Sequence, residues 1–321
     1  MKICASAPAK IIWFGEHFVV LGKPAIASSI NLKARVCISD SVNDKIIIES
    51  KDLGVKYVYG KDIPKELIQF RQIIDYCLSK NIITKLKPFH AVIKSSIPIA
   101  SGLGSSASTA VAFTAAFLAY HNISFNRELI SRVAYEAEKI VHAKPSGIDN
   151  TIASYGGFLV YQKGRIRRIR VRWPKKYLLL IADTGVPRNT GKVVKMVLER
   201  YQRNEDIMKY IYTAAEKIVR KAMKCLRNGN IECIAELMNI NHGLLASLGI
   251  SIYEIESIVH KSIMSGALAA KITGAGMGGS VIILIDRTKL NRVIRAISPL
   301  AHRIIPVSPV SQGVTLERLR K

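Results

Sequence analysis

The chain has 321 residues, 49% hydrophobic and 22% charged, which is length enough for about two domains and apolar content enough to exclude a disordered polypeptide. Its 48 Lys and Arg outnumber 23 Asp and Glu, and the resulting +25 attracts polyanions. Composition alone therefore ranks nucleic acid first, ahead of an acidic membrane surface or phosphorylated and carboxylate substrates.

Five scattered cysteines, Cys4, Cys37, Cys77, Cys225 and Cys233, form no CxxC pair and have no histidine at metal-ligand spacing. They read as reduced thiols, without a disulfide framework or a zinc site. The longest apolar stretch, 107–120, falls short of the roughly 18 residues a membrane span requires. The opening residues carry no secretory pattern, so the expectation is a cytoplasmic protein with no membrane partner.

In chain order, residues 10–20 form an apolar, β-rich run broken at Gly22-Lys23-Pro24, and 34–38, 45–48 and 90–99 continue as strands. The pattern then becomes helical over 105–120, and Asn126 caps a second helix running to about residue 142. A basic strand-like segment, 164–173, precedes a buried strand at 177–182. The remainder is mainly helical: 205–226, ended by Asn228-Gly229, then 231–246, 252–265 and 287–297, with strands at 267–272, 280–285 and 303–307. The reading is two α+β domains that meet near residues 165–175.

The segment Pro98-Ile99-Ala100-Ser101-Gly102-Leu103-Gly104-Ser105-Ser106-Ala107-Ser108 lies between a strand and a helix. Glycines admit close backbone approach, serines add donors, and the helix aims its free NH groups at whatever the loop holds. This is a phosphate cradle; the plainer alternative is a tight turn. Two commoner nucleotide motifs fit poorly. Gly185 and Gly191-Lys192 are separated by one residue too many for a Walker A loop, and Val193 replaces its hydroxyl residue. Gly102, Gly104 and Ala107 lack the acidic residue of a dinucleotide site, while Gly274, Gly276 and Gly279 precede a strand instead of a helix. The second glycine-rich loop, 271–280, brings backbone close to a ligand, around Gly274 and Ala275.

Lys10, Glu16 and His17 interrupt an apolar run, so they either emerge at its ends or form a site. Glu138 and His142 share a helical face, which as an isolated feature would be a solvated one. Asp149 follows a helix terminator and either caps the next helix or acts on a hydroxyl group. A lysine beside it can stabilise an alkoxide, and a glutamate with a hydroxyl group can hold magnesium. Arg188 and Thr190 follow the buried strand and can bind a carboxylate, although a surface turn would look similar.

Together these segments resemble the GHMP kinases, the superfamily of galactokinase, homoserine kinase, mevalonate kinase and phosphomevalonate kinase. Its three blocks occur in order at 10–22, 98–108 and 271–280, and Gly102-Leu103-Gly104-Ser105-Ser106-Ala107 is highly specific for it. Within the superfamily the run Lys10-Ile11-Ile12-Trp13-Phe14-Gly15-Glu16-His17 and the segments 138–151 and 183–191 are most similar to the archaeal type of mevalonate kinases. Trp13, Met277 and Ser280 depart from that pattern without removing a candidate catalytic group.

The resemblance implies a two-domain α+β fold, ribosomal protein S5 domain 2-like over 1–170 and ferredoxin-like over 171–321, with the active site in the cleft between them. It implies ATP-dependent phosphorylation of the C5 hydroxyl of mevalonate, for isoprenoid synthesis. Asp149 would be the general base, and Lys10 would contact the hydroxyl and the transferred phosphate. Residues Pro98 to Ser108 would surround the phosphates, Ser106 and Glu138 would hold Mg2+, and Glu16, His17, Arg188, Thr190, Gly274 and Ala275 would line the acceptor side. A sister kinase acting on phosphomevalonate or another small alcohol is the nearest alternative. A homodimer is compatible with the sequence. A nucleic-acid-binding protein is the distant alternative: its support is the acid-free run 163–176, its weakness the lack of interleaved aromatics. No nucleic-acid partner is expected.

Overall fold

The computed structural model describes residues 2–98, 102–141 and 147–318. The chain opens with two long strands, β1 (Lys2–Phe14) and β2 (Ala25–Asp40), followed by β3 (Ile47–Ser50), β4 (Val55–Val58), α1 (Ile68–Ser79) and β5 (Phe89–Ser95). Three helices come next, α2 (Ser105–Tyr120), α3 (Arg127–Val141) and α4 (Ile148–Tyr155), then β6 (Phe158–Gln162) and β7 (Arg165–Ile169). The second half runs β8 (Tyr177–Asp183), α5 (Thr190–Arg203), α6 (Glu205–Asn228), α7 (Ile231–Ser247), α8 (Tyr253–Met264), β9 (Ala269–Thr273), β10 (Ser280–Asp286), α9 (Leu290–Ile297), β11 (Arg303–Val307) and β12 (Thr315–Arg318).

Two sheets result. The larger has the order β12-β1-β2-β5-β3-β4, with β6 and β7 continuing from β2, and the smaller has the order β11-β8-β10-β9. The smaller sheet is antiparallel throughout, and its chain order, β-α-β-β-α-β, is the ferredoxin-like arrangement. After completing it the chain crosses back, and β12 pairs with β1 from Ile3↔Arg318 to Ser6↔Thr315.

α2 is buried on nearly all sides, which explains its unbroken apolar and small-residue composition. Phe113 and Phe117 pack with Phe89 beneath the larger sheet, alongside Ile73 and Ile74 of α1. A second apolar cluster joins the halves: Ile11 and Trp13 of β1 meet Leu179 and Ile181 of β8, Ile282 and Leu284 of β10, and Val219 and Ala222 of α6. The two sheets are thus held by a shared core, which fixes the walls of the cleft between them.

The cysteine reading needs correction. Cys4 is bonded to Cys37 and Cys225 to Cys233, leaving Cys77 as the free thiol among the described residues. Spacing along the chain could not show this. Cys4 and Cys37 become neighbours because they are register partners across β1 and β2, and the second pair because α6 turns back into α7.

The basic segment ends the larger sheet at β7, which among the described residues pairs only with β6. Arg168, Arg170, Arg172 and Arg227 line a groove of about 1060 Å³, to which neither glycine-rich loop contributes a lining residue. The exposed cationic edge discourages strand-to-strand association. Among the described residues no helix is long and apolar enough to cross a membrane.

Candidate active site

A cleft of about 650 Å³ opens where β1, the start of α2, α4, α5 and the β9–β10 loop converge. Lys10 enters from β1. Its backbone NH donates to the Leu103 carbonyl at 2.9 Å, so the strand and the glycine-rich loop are stitched together beside the side chain. The ammonium lies 3.2 Å from Asp149 Oδ1. Asp149 stands in the first turn of α4 but makes no capping bond; Gly147 occupies the cap position, and the carboxylate is turned to Lys10 instead.

The loop's glycines are required where the backbone is left-handed. Gly104 precedes α2 at φ 77°, and a Cβ there would lie 2.9 Å from Lys10 Cγ and 3.6 Å from Asp149 Oδ2. The first turn of α2 therefore reaches the lysine and aspartate at backbone distance, with its unpaired NH groups and positive end facing the cleft. Pro98, Gly102, Gly104, Ser105, Ser106 and Ala107 line that cleft. Leu103 and Ser108 do not: Leu103 is packed in the shared core, and Ser108 Oγ donates to the Pro8 carbonyl at 2.8 Å, tying α2 to β1. Ile99, Ala100, Ser101 and His142 lie outside the described residues.

Glu138, on α3, lines the cleft, and its Oε2 is a buried oxygen with no hydrogen-bond partner among the described residues. Burial, reinforced by the negative charge of Asp149 and only partly offset by Lys10, pushes its carboxyl up to about 7. Ser106 Oγ donates to Gln69 Oε1 at 2.8 Å, which fixes the hydroxyl's proton and keeps its lone pairs as acceptors. Gln69 comes from α1, a helix the sequence reading passed over; its buried positions Phe70, Ile73, Ile74 and Cys77 carry the helical spacing that marks it.

Across the cleft, Arg188 is surrounded by glycines of two loops. A Cβ on Gly102 or Gly279 would stand 2.1 Å and 1.8 Å from its guanidinium, and Nη1 donates to the Gly278 carbonyl at 3.0 Å. Arg188 thus lies against both Gly102 and the β9–β10 loop. Thr190 begins α5 next to it, behind the cap Asn189, whose Oδ1 accepts from the Lys192 NH.

Gly274 and Ala275 line the same wall, together with Glu16 and His17. His17 Nε2 lies 2.8 Å from the Ala275 carbonyl. A carbonyl only accepts, so Nε2 carries the proton and Nδ1 is a bare acceptor; it is buried and has no partner among the described residues. Burial lowers the histidine's basicity more than the Ala275 bond and Glu16 restore it, which keeps the ring neutral. Glu16 lines the cleft, but its oxygens are engaged by Lys271 and Asn241.

The arrangement joins a carboxylate and an ammonium at a helix N-terminus with a second carboxylate nearby, and faces them with an arginine and a neutral histidine. It is suited to align two anions and move a phosphoryl group.

Comparison with known proteins agrees. The family model of the GHMP kinases N terminal domain matches residues 55–158, and that of the GHMP kinases C terminal domain matches 222–300. The mevalonate kinase of Aeropyrum pernix is 36% identical, covering 98% of this chain and 98% of its own. The crystal structure of the Methanococcus jannaschii mevalonate kinase superposes with a TM-score of 0.84 at 27% identity, over 96% of this chain and 98% of the other. That of L. major mevalonate kinase in complex with R-mevalonate does so at 0.81 and 27%, over 96% of each. On the strength of the site and of these full-length matches, the chain belongs to the GHMP kinase family.

Proposed function

We propose that the protein transfers the γ-phosphoryl group of ATP to the C5 hydroxyl of mevalonate. The observation that carries this reading is the Lys10–Asp149 pair, set at 3.2 Å beside the start of α2 in one cleft with Arg188 and His17. The full-length likeness to mevalonate kinases supports the choice of acceptor.

In this reading the NH groups of residues 104–107 and the positive end of α2 bind the ATP phosphates. Arg188 pairs with the acceptor's carboxylate, and His17 Nδ1 accepts from one of its hydroxyl groups. Asp149 orients the C5 hydroxyl and receives its proton as oxygen bonds to the γ-phosphorus and the bridge to the β-phosphate breaks, releasing ADP. Lys10 balances the charge that gathers on the transferred group.

Magnesium fits the site. Oε2 of Glu138, without a partner among the described residues, and the Ser106 hydroxyl oxygen are hard ligands of the kind it takes. Among the described residues no group of three His, Cys, Asp or Glu clusters as a metal site, and Glu138 and Ser106 would hold the ion together with the bound nucleotide. When bound, the ion neutralises phosphate charge; the protein's share is to place Glu138 and Ser106 beside the phosphate loop.

The test is ADP release measured over mevalonate, phosphomevalonate, homoserine and galactose. Fastest turnover on mevalonate is expected, and faster turnover on any of the others overturns the proposal.

A further inference from the structure

Lys271 is fully buried in the middle of β9, a strand with every residue buried. Its ammonium bonds to Glu16 Oε1, on the segment that follows β1 and belongs to the other half of the molecule. Glu16 itself is 2% exposed, and its second oxygen accepts from Asn241 Nδ2 of α7 at 3.4 Å. A lysine enclosed in this way loses its hydration, and its partner supplies the compensation. Neither charge faces bulk water, so the pair is of little use in attracting substrates.

Its neighbour shows what it does. His17 directly follows Glu16 and sits at φ 55°, ψ −45°, a conformation side chains adopt only where their surroundings enforce it. Two ties enforce it here. Glu16 is bonded to Lys271, and His17 Nε2 to the carbonyl of Ala275, four residues further along the same segment. The two pairs of residues form a closed bracket, 16–17 against 271–275, that leaves the His17 Nδ1 acceptor without a partner among the described residues. A histidine at the end of β1 without the ion pair would be free to relax toward ordinary backbone angles and draw Nδ1 away.

We propose that Lys271 is a positioning residue: through Glu16 it holds His17 in the orientation that receives the acceptor alcohol, without touching substrate itself. The inference rests on the reading of this wall as the acceptor side of a kinase cleft. It also gives Glu16 a different part, as the link between Lys271 and His17 and not as a substrate ligand.

The test is a double-mutant cycle on whichever alcohol the wild-type protein phosphorylates best, so that failure of the mevalonate reading appears in the wild-type acceptor panel and not in the cycle. Lys271→Met should raise the acceptor KM about tenfold and leave the ATP KM within about twofold, and His17→Ala should do the same. Combined, they should be no worse than the larger single change, because residues that act through one another are not additive. An unchanged acceptor KM in Lys271→Met, or effects that multiply in the double variant, overturns the proposal. If Lys271→Met does not fold, Glu16→Gln with Lys271→Met removes both charges and takes its place in the same cycle, judged by the same outcomes.

Discussion

Gly104 and Lys10 are packed so closely that the glycine has no room for a side chain: a Cβ would stand 2.9 Å from Lys10 Cγ, on a backbone already at φ 77°. The glycine-rich turn before α2, the lysine and, through it, Asp149 are therefore packed as one unit. Gly104→Ala should lower kcat by about tenfold or more, as small displacements of reacting groups do, with thermal unfolding changed much less than turnover. Steady-state kinetics beside a melting curve checks this; a variant with normal kcat would show that the contact has slack.

Glu138 should make metal binding depend on pH. Its carboxyl is raised to about 7 by burial and by Asp149, so protons compete with a cation for the same oxygen near neutrality. Affinity for Mg2+ in the presence of ATP should rise with pH through about 7 and level off above it. The sign for stability is opposite: a carboxyl whose folded pKa exceeds its unfolded value favours folding below the unfolded pKa, and that advantage is lost as pH rises through the folded one. In metal-free protein Glu138→Gln should therefore be the more stable chain above pH 7, by about 1 to 3 kcal/mol, and should lose the pH dependence of metal binding. Calorimetric titrations at pH 6 and 8, with and without the substitution, measure both.

The cysteine pairs give a count. Denatured without reductant, the protein should yield one titratable thiol, from Cys77, whose burial pushes it up to about 12 in the folded state. After reduction it should yield five. Five thiols before reduction would remove both cross-links.

How much of this was legible in the sequence depended on whether the determining contacts were local. α2 was read over its full span of 105–120, β11 over 303–307, and the end of α6 was placed by Gly229, because helical spacing, strand length and a left-handed terminator act within a few residues. Asn126 caps α3 as expected, accepting from the NH groups of Glu128 and Leu129. α1 and α5 were missed, as were the first eight residues of β1, where alanines and serines dilute the alternation. β12 was invisible too: four residues that find their partners some 300 positions away carry no local mark.

The candidate site divides in the same way. Lys10, Glu138, Asp149 and Arg188 stood out by chemical type in segments that resembled a family, and all four line one cleft. Gln69 and Lys271 did not stand out. The first holds Ser106 from an unread helix, and the second is an isolated lysine in an apolar strand whose meaning comes from a glutamate 255 positions earlier. The excess charge says little about the cleft for the complementary reason: composition counts arginines such as Arg168, Arg170 and Arg172 that lie outside it.

The central claim is that Asp149, held by Lys10 against the phosphate loop, takes the proton of the alcohol that is phosphorylated. Asp149→Asn keeps the shape and removes the charge, so it separates chemistry from binding. Turnover of this variant, measured with ATP affinity in the same preparation, should fall by about two to four orders of magnitude while ATP binds as before. Near-normal turnover with intact ATP binding would contradict the account.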